Sequence, residues 1–204
     1  MFIKRLVVGP FESNCYIVAD SSGKGVIIDP GADDQLILEE ASQFDIKMIM
    51  ATHAHVDHVG ALKKVKEATG APFAIHPLDV PLLKSSALGQ LFGLHFPPPP
   101  PPDKLLGDGD KIAIGELVFE AIHTPGHSPG GLCFLLDKVI FSGDTLFYQG
   151  IGRTDLGGDY EELISSIRKR LLTLDDDVRV YPGHGPATTI GAERRGNPFL
   201  SSII

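Results

Sequence analysis

Thr52-His53-Ala54-His55-Val56-Asp57-His58 places four potential metal ligands within six residues. The stretch follows Lys47–Ala51, a short apolar run that reads as a strand. It precedes Val59–Thr69, where Val59, Leu62, Val65 and Lys66 recur at helical spacing up to Gly70. A lone histidine is usually structural. Three histidines and an aspartate on one strand-to-helix turn are a different signal. Residues i and i+2 of an extended chain point the same way, so His53 and His55 can grip one ion. Asp57 and His58 are adjacent at the start of the helix and diverge toward a second position. Imidazole nitrogen and carboxylate oxygen suit zinc, iron or manganese.

Working outward, three more residues occupy comparable places. His127 lies in Thr124-Pro125-Gly126-His127-Ser128-Pro129-Gly130, Asp144 in Ser142-Gly143-Asp144-Thr145, and His184 in Tyr181-Pro182-Gly183-His184-Gly185. Each follows an apolar strand and sits in a glycine-flanked turn, where the backbone can bend tightly and neighbouring loops can approach. Five of the eight histidines fall in these motifs.

The rest of the chain supplies a scaffold. Phe2–Val8, Cys15–Ala19, Val26–Ile28 and Phe73–Ile75 read as strands of the first half. Asp33–Phe44 reads as a helix with Asp33 or Asp34 as its N-cap, and Pro77–Leu94 reads as helical pieces. Lys111–Ile114, Leu117–Ile122, Leu132–Leu136, Val139–Phe141 and Val178–Tyr181 are strands of the second half, and Asp159–Leu171 is an amphipathic helix. Strands and then a helix in each half predict two mixed sheets face to face with helices outside. No domain boundary is evident across residues 1–204. The six prolines Pro97–Pro102 predict a stiff extended connector.

Composition narrows the function. A formal charge of −8 argues against a surface that tracks nucleic-acid phosphates. No apolar run approaches the roughly 20 residues of a membrane helix, and Met1–Asn14 does not read as a signal peptide. A cytoplasmic protein is expected. Cys15 and Cys133 cannot build a disulfide framework and read as packing residues.

The set T-H-x-H-x-D-H, T-P-G-H-S-P-G, S-G-D-T and P-G-H-G-P resembles the metallo-β-lactamase superfamily. It most closely resembles the short bacterial branch of glyoxalase II, the hydroxyacylglutathione hydrolases. The similarity spans nearly the whole chain, including Ser13-Asn14-Cys15-Tyr16, Asp29-Pro30-Gly31 and the segment from Glu193 to Leu200. The resemblance implies a four-layer αββα sandwich, and two divalent metal ions, zinc by expectation with iron or manganese as alternatives. It implies that His53, His55 and His127 hold one ion, that Asp57, His58 and His184 hold the other, and that Asp144 bridges them. A hydroxide held between the ions would attack the thioester of an S-2-hydroxyacylglutathione such as S-lactoylglutathione, with Asp57 also orienting it. Tyr148 and Arg153 lie in a segment resembling the one that approaches glutathione. The longer glyoxalase II enzymes carry a C-terminal helical substrate domain, which is not expected here.

Persulfide dioxygenases of the same superfamily share a Gly-Arg-Thr-Asp segment like Gly152–Asp155. In that alternative reading His53, His127 and Asp144 would hold one iron. Gly126-His127-Ser128-Pro129-Gly130 also fits G-x-S-x-G, but a nucleophile elbow needs a helix after the serine. Pro129 and the following strand-like run argue against that. Small-molecule chemistry at a metal centre, without nucleic acid or membrane, is the expectation. Oligomeric state is not legible.

Overall fold

The computed structural model describes residues 1–84 and 98–200. Two six-stranded sheets form the centre. The first has strand order β1 (Phe2–Val8), β2 (Ser13–Ala19), β3 (Lys24–Ile28), β4 (Asp45–Met50), β5 (Phe73–Ile75) and β6 (Lys104–Leu105). Strands β1 to β3 are antiparallel, and β3 to β6 run parallel. The second sheet contains β7 (Lys111–Ile114), β8 (Leu117–His123), β9 (Leu132–Leu136), β10 (Val139–Gly143), β13 (Arg179–Pro182) and β14 (Thr188–Thr189), in the order β14-β13-β10-β9-β8-β7. A hairpin of β11 (Leu146–Phe147) and β12 (Gly150–Ile151) stands apart.

Side-chain alternation along the strands separates three apolar clusters. Tyr16, Val18, Val26, Ile28 and Met50 of the first sheet meet Phe119, Ala121, Phe134 and Phe141 of the second. The opposite faces of the first sheet, with Cys15, Ile17, Ile27 and Ile49, pack under α1 (Asp34–Ala41) and α3 (Leu62–Thr69). Ile122, Cys133, Ile140 and Val180 of the second sheet pack under α5 (Tyr160–Ser166) and α6 (Ile190–Gly196). The expected αββα layering is therefore present. Because both faces of each sheet are covered, all seven residues of β2 are buried. That is why such strands read as continuous apolar runs rather than alternating ones.

Several local expectations need correction. The helix expected over Val59–Thr69 is two pieces, α2 (Val56–Val59) and α3, so Asp57 and His58 lie within the first. Asp33 occupies the N-cap position of α1, but its carboxylate reaches back to the Gly9 N–H at 2.8 Å instead of capping the helix. The Asp159–Leu171 helix begins as expected, with the Asp159 side chain accepting from the Glu162 N–H. Its last turn, Ile167–Leu171, widens to π geometry. In the segment expected as helical pieces, Pro77–Asp79 forms a 3₁₀ turn and Val80–Leu83 forms α4. Residues 85–94 of that segment, together with His95, Phe96 and Pro97, lie outside the described residues. Strands β6, β11, β12 and β14 and helix α6 were too short or too polar to stand out in the sequence. Among the described residues, no helix is long and apolar enough to cross a membrane.

Asp20, at the turn after β2, joins the two sheets. It accepts hydrogen bonds from the Ser22 and Lys24 N–H groups and, across the sandwich, from Glu116 N–H at 3.0 Å. The Glu116 bond and then the Ser22 hydroxyl hold its carboxyl down at about 2. A depressed folded value contributes stability above the unfolded value of roughly 3.9 and loses it as pH falls toward the folded value. The urea midpoint of Asp20→Asn should therefore lie below wild type at about pH 5, and the gap should close toward pH 2. An unchanged gap across that range would contradict the assignment.

Candidate metal centre

Strand direction gathers the ligand-type residues. β9 is antiparallel to both β8 and β10, and β10 is parallel to β13, so β8, β10 and β13 all end on one side of the second sheet. Those ends carry the turns of His127, Asp144 and His184. The end of β4 in the first sheet, carrying Thr52–His58, is tied to the same place by Leu132 N–H donating to the Thr52 carbonyl at 2.8 Å. Asn14 N–H donates to the Gly183 carbonyl at 2.7 Å and draws in the His184 turn. All seven residues thus meet at one rim of the sandwich.

They form two groups. The ligand atoms of His53, His55 and His127 lie within 4.8 Å of one another, as do those of Asp57, His58 and His184. In the first group His127 Nε2 is 3.2 Å from His53 Nε2 and 2.8 Å from His55 Nδ1. Asp144 stands between the groups, with Oδ2 3.6 Å from both His127 Nε2 and His184 Nε2, and Oδ1 3.4 Å from His58 Nε2. An ion with ligands at about 2.0–2.1 Å separates neighbouring ligand atoms by about 2.9–3.4 Å. The observed spacings are close to that range. His58 Nε2 and Asp144 Oδ1 are buried without a hydrogen-bond partner, and a cation within reach of both would satisfy them. The donor set and its geometry fit divalent ions.

Hydrogen bonds fix which ring nitrogens are available. A carbonyl only accepts, so the 2.7 Å contact from His127 Nδ1 to the Arg153 carbonyl puts the proton on Nδ1 and leaves the Nε2 lone pair facing the site. Thr52 Oγ1 donates to Asp29 at 2.6 Å, so at 3.0 Å it accepts from His53 Nδ1, again leaving Nε2 free. His58 Nδ1 faces Asp29 Oδ2 at 3.0 Å. The close set Asp29, His53 and His58 thus reads as a carboxylate orienting two rings. Metal-ligand histidines are commonly oriented this way. In the sequence Asp29 stood out only within Asp29-Pro30-Gly31, one of the segments that carry the family resemblance. Its buried position and its reach to Thr52 and His58 emerge from the fold.

Charge divides the site. Burial, then the neighbouring His58 and His127, push His53 down, and burial with His127 brings His55 to about 4. For His58 burial is outweighed by Asp144, Asp57 and the Asp29 hydrogen bond, which lift it to about 10. Burial would raise Asp57, but His58 and the 3.2 Å contact with His184 hold it well below the usual carboxylate range. His53 and His55 therefore present neutral nitrogen lone pairs. The second group surrounds two carboxylates that attract positive charge.

Glycine at 183 is a steric requirement, because a methyl there would overlap Asp144 Oδ1 and lie 2.7 Å from His58 Cε1. Gly126 has φ of 128° and lies directly under the backbone of Leu163, so neither its conformation nor its space admits a side chain.

The site opens into a cleft of about 320 Å³. Phe11, Val56, Phe147, Ile151 and Leu156 form apolar walls, and Arg153 lies on the rim. The Arg153 guanidinium is exposed and engages Asp155 through two bonds of 2.6 and 2.7 Å. Tyr148 is half exposed on the β11–β12 turn and is not among the residues that line the cleft. Ser128 is buried and donates to Asp79 at 2.9 Å, which points its hydroxyl at a carboxylate. Both cysteines are buried, and burial raises their thiols, Cys133 to about 11. His76 and His123 stack face to face at 4.2 Å, outside the two ligand groups.

Comparison with known proteins agrees with this architecture. The family model of the metallo-beta-lactamase superfamily matches residues 8–184. The hydroxyacylglutathione hydrolase GloC of Haemophilus influenzae is 40% identical over 210 residues, covering 99% of each chain. Among solved structures, the B3 metallo-beta-lactamase BLEG-1 superposes with a TM-score of 0.93 at 38% identity, over 98% of this chain and 100% of that one. TTHA1623 in a di-iron-bound form gives 0.87 at 42% identity, over 97% and 100%. ETHE1 from Myxococcus xanthus gives 0.84 at 27% identity, over 99% and 85%. With the family match spanning most of its length and the His/Asp groups gathered at one rim, the chain belongs to the metallo-beta-lactamase superfamily.

Proposed function

We propose that this metallohydrolase cleaves small thioesters, with S-2-hydroxyacylglutathiones such as S-lactoylglutathione as its substrate class. The observation that carries the reading is the pair of three-ligand groups facing one carboxylate at the floor of a single cleft. Its likeness over full length to the hydrolase GloC supports the choice of substrate. His53, His55 and His127 would hold one divalent ion and Asp57, His58 and His184 a second, with Asp144 reaching both. Zinc is the proposed metal, and the di-iron form of TTHA1623 makes iron the natural comparison.

Bound ions of this kind lower the pKa of a coordinated water from about 15.7 toward 7 and polarise a carbonyl oxygen. The protein supplies position. Asp57, kept ionised beside His58 and His184, accepts a hydrogen bond from the attacking water and directs its lone pair at the thioester carbon. The apolar walls take the acyl and thioester portion and thin out competing water. Arg153 exchanges its exposed Asp155 partner for a carboxylate of the thiol moiety. No serine or cysteine nucleophile enters the scheme.

Metal analysis joined to two assays tests the reading. Two equivalents of metal per chain and free thiol released from S-lactoylglutathione are expected. One iron per chain with oxygen consumed on glutathione persulfide would replace it with a dioxygenase, and turnover of a β-lactam but no thioester would replace it with a lactamase. Ser128→Ala should keep turnover within about tenfold of wild type, because the change removes one hydrogen bond worth about 1 kcal/mol. A thousandfold loss of kcat with metal content intact would make Ser128 a nucleophile.

A further inference from the structure

Asp79 is fully buried in the 3₁₀ turn after β5, and the proposed chemistry makes no use of it. Its carboxylate gathers three donors from two loops that are distant in sequence. Oδ2 accepts from the Ala54 N–H at 2.9 Å and from Ser128 Oγ at 2.9 Å, and Oδ1 accepts from the Gly130 N–H at 2.6 Å. Ala54 lies between His53 and His55. Ser128 follows His127 directly, and Gly130 lies three residues beyond it. Glycine at 130 allows the approach, since a methyl there would come within 2.7 Å of Asp79 Oδ1.

We infer that Asp79 is the positioning residue of the first ion site alone, clamping the His53–His55 loop to the His127 turn. This rests on the two-ion reading above. The second group is held by other means. The Asp57 carbonyl accepts from Ser13 Oγ at 2.6 Å, and the turn bearing His184 is held by Asn14 Nδ2 and Tyr16 OH, which donate to the Pro182 carbonyl. Asp29 differs from Asp79 in serving both groups, through His58 directly and through Thr52 to His53. The carboxylate matters as such. Asparagine offers one accepting oxygen, so its amide must turn a donor toward either Gly130 N–H or the Ala54 and Ser128 donors.

The test is zinc titration of the full chain, followed by histidine-ring ¹⁵N NMR. In wild type at saturating zinc, the rings of His53, His55, His127, His58 and His184 should all report ligation. In Asp79→Asn the first-group rings should need about 10–100-fold more zinc, while His58 and His184 load within about threefold of wild type. Asp29→Asn should weaken both groups. Ser128→Ala, which removes a single donor, should weaken the first group alone by about fivefold, and it serves as the reporter should Asp79→Asn fail to fold. Equal weakening of both groups, or unchanged loading of the first, in whichever variant folds would overturn the inference while leaving the two-ion reading intact. One equivalent of zinc in wild type would overturn both.

Discussion

Asp144→Ala is expected to lose bound metal and to lower turnover by more than about a thousandfold. This carboxylate stands between the two ligand groups, with Oδ2 equidistant from His127 and His184 and Oδ1 toward His58. On the two-ion reading, its removal would take a ligand from each ion and the negative charge that would let two cations sit close together. Metal-assisted charge stabilisation supplies several kcal/mol, and at 1.36 kcal/mol per decade a loss of about 4 kcal/mol is a factor of about a thousand. The fold should survive. Asp144 Oδ1 makes no hydrogen bond within the protein, so alanine leaves no local donor orphaned there. Metal content per chain, circular dichroism and thioester turnover are the measurements. Full metal content with a normal rate would show that Asp144 does not join the sites.

Asp29→Ala should damage both metal affinity and stability. The side chain is buried and accepts from Thr52 N–H at 2.7 Å, from Thr52 Oγ1 at 2.6 Å and from His58 Nδ1 at 3.0 Å. Leaving a buried donor unsatisfied costs about 1–3 kcal/mol. Three donors at once make a severe loss. With His58 free to rotate and Thr52 no longer fixing His53, metal affinity should also fall by about 10–100-fold. Denaturant midpoints of the metal-free protein and zinc affinities separate the two effects. A variant with normal zinc binding and lowered stability would reduce Asp29 to a purely structural role.

The sequence and the structure agree where information is local. Strands β8 and β9 were legible from their apolar runs, and the cluster of His53, His55, Asp57 and His58 from four potential ligands crowded into one turn. Boundaries failed where a short-range signal was ambiguous. The helical spacing of Val59–Thr69 hid the break between α2 and α3, and Asp33 looked like a cap while its carboxylate serves Gly9. The short β11–β12 hairpin and β14 carry too few residues for any periodicity to register. Tyr148 and Arg153 were named because their segment resembles the one that approaches glutathione in glyoxalase II. Only the three-dimensional arrangement places Arg153 on the cleft rim beside Asp155 and Tyr148 away from the lining.

The crowded turn Thr52–His58, joined to the turns of His127, Asp144 and His184, pointed by itself to chemistry at a metal centre, while the order of strands and helices pointed to two facing sheets and the family resemblance of those motifs implied the four-layer sandwich. Ligand type is a property of the residue, and strand-to-turn position is a property of the nearby chain. What the tertiary structure alone decided is how those ligands are held and kept apart as two groups. Asp29 reaches His58 across 29 positions and Asp79 reaches Gly130 across 51. Such pairings leave no spacing pattern in the chain, because they exist only once two sheets have packed and brought the strand ends to a common rim. A buried carboxylate finds its partners through the fold, and so its role becomes visible only there.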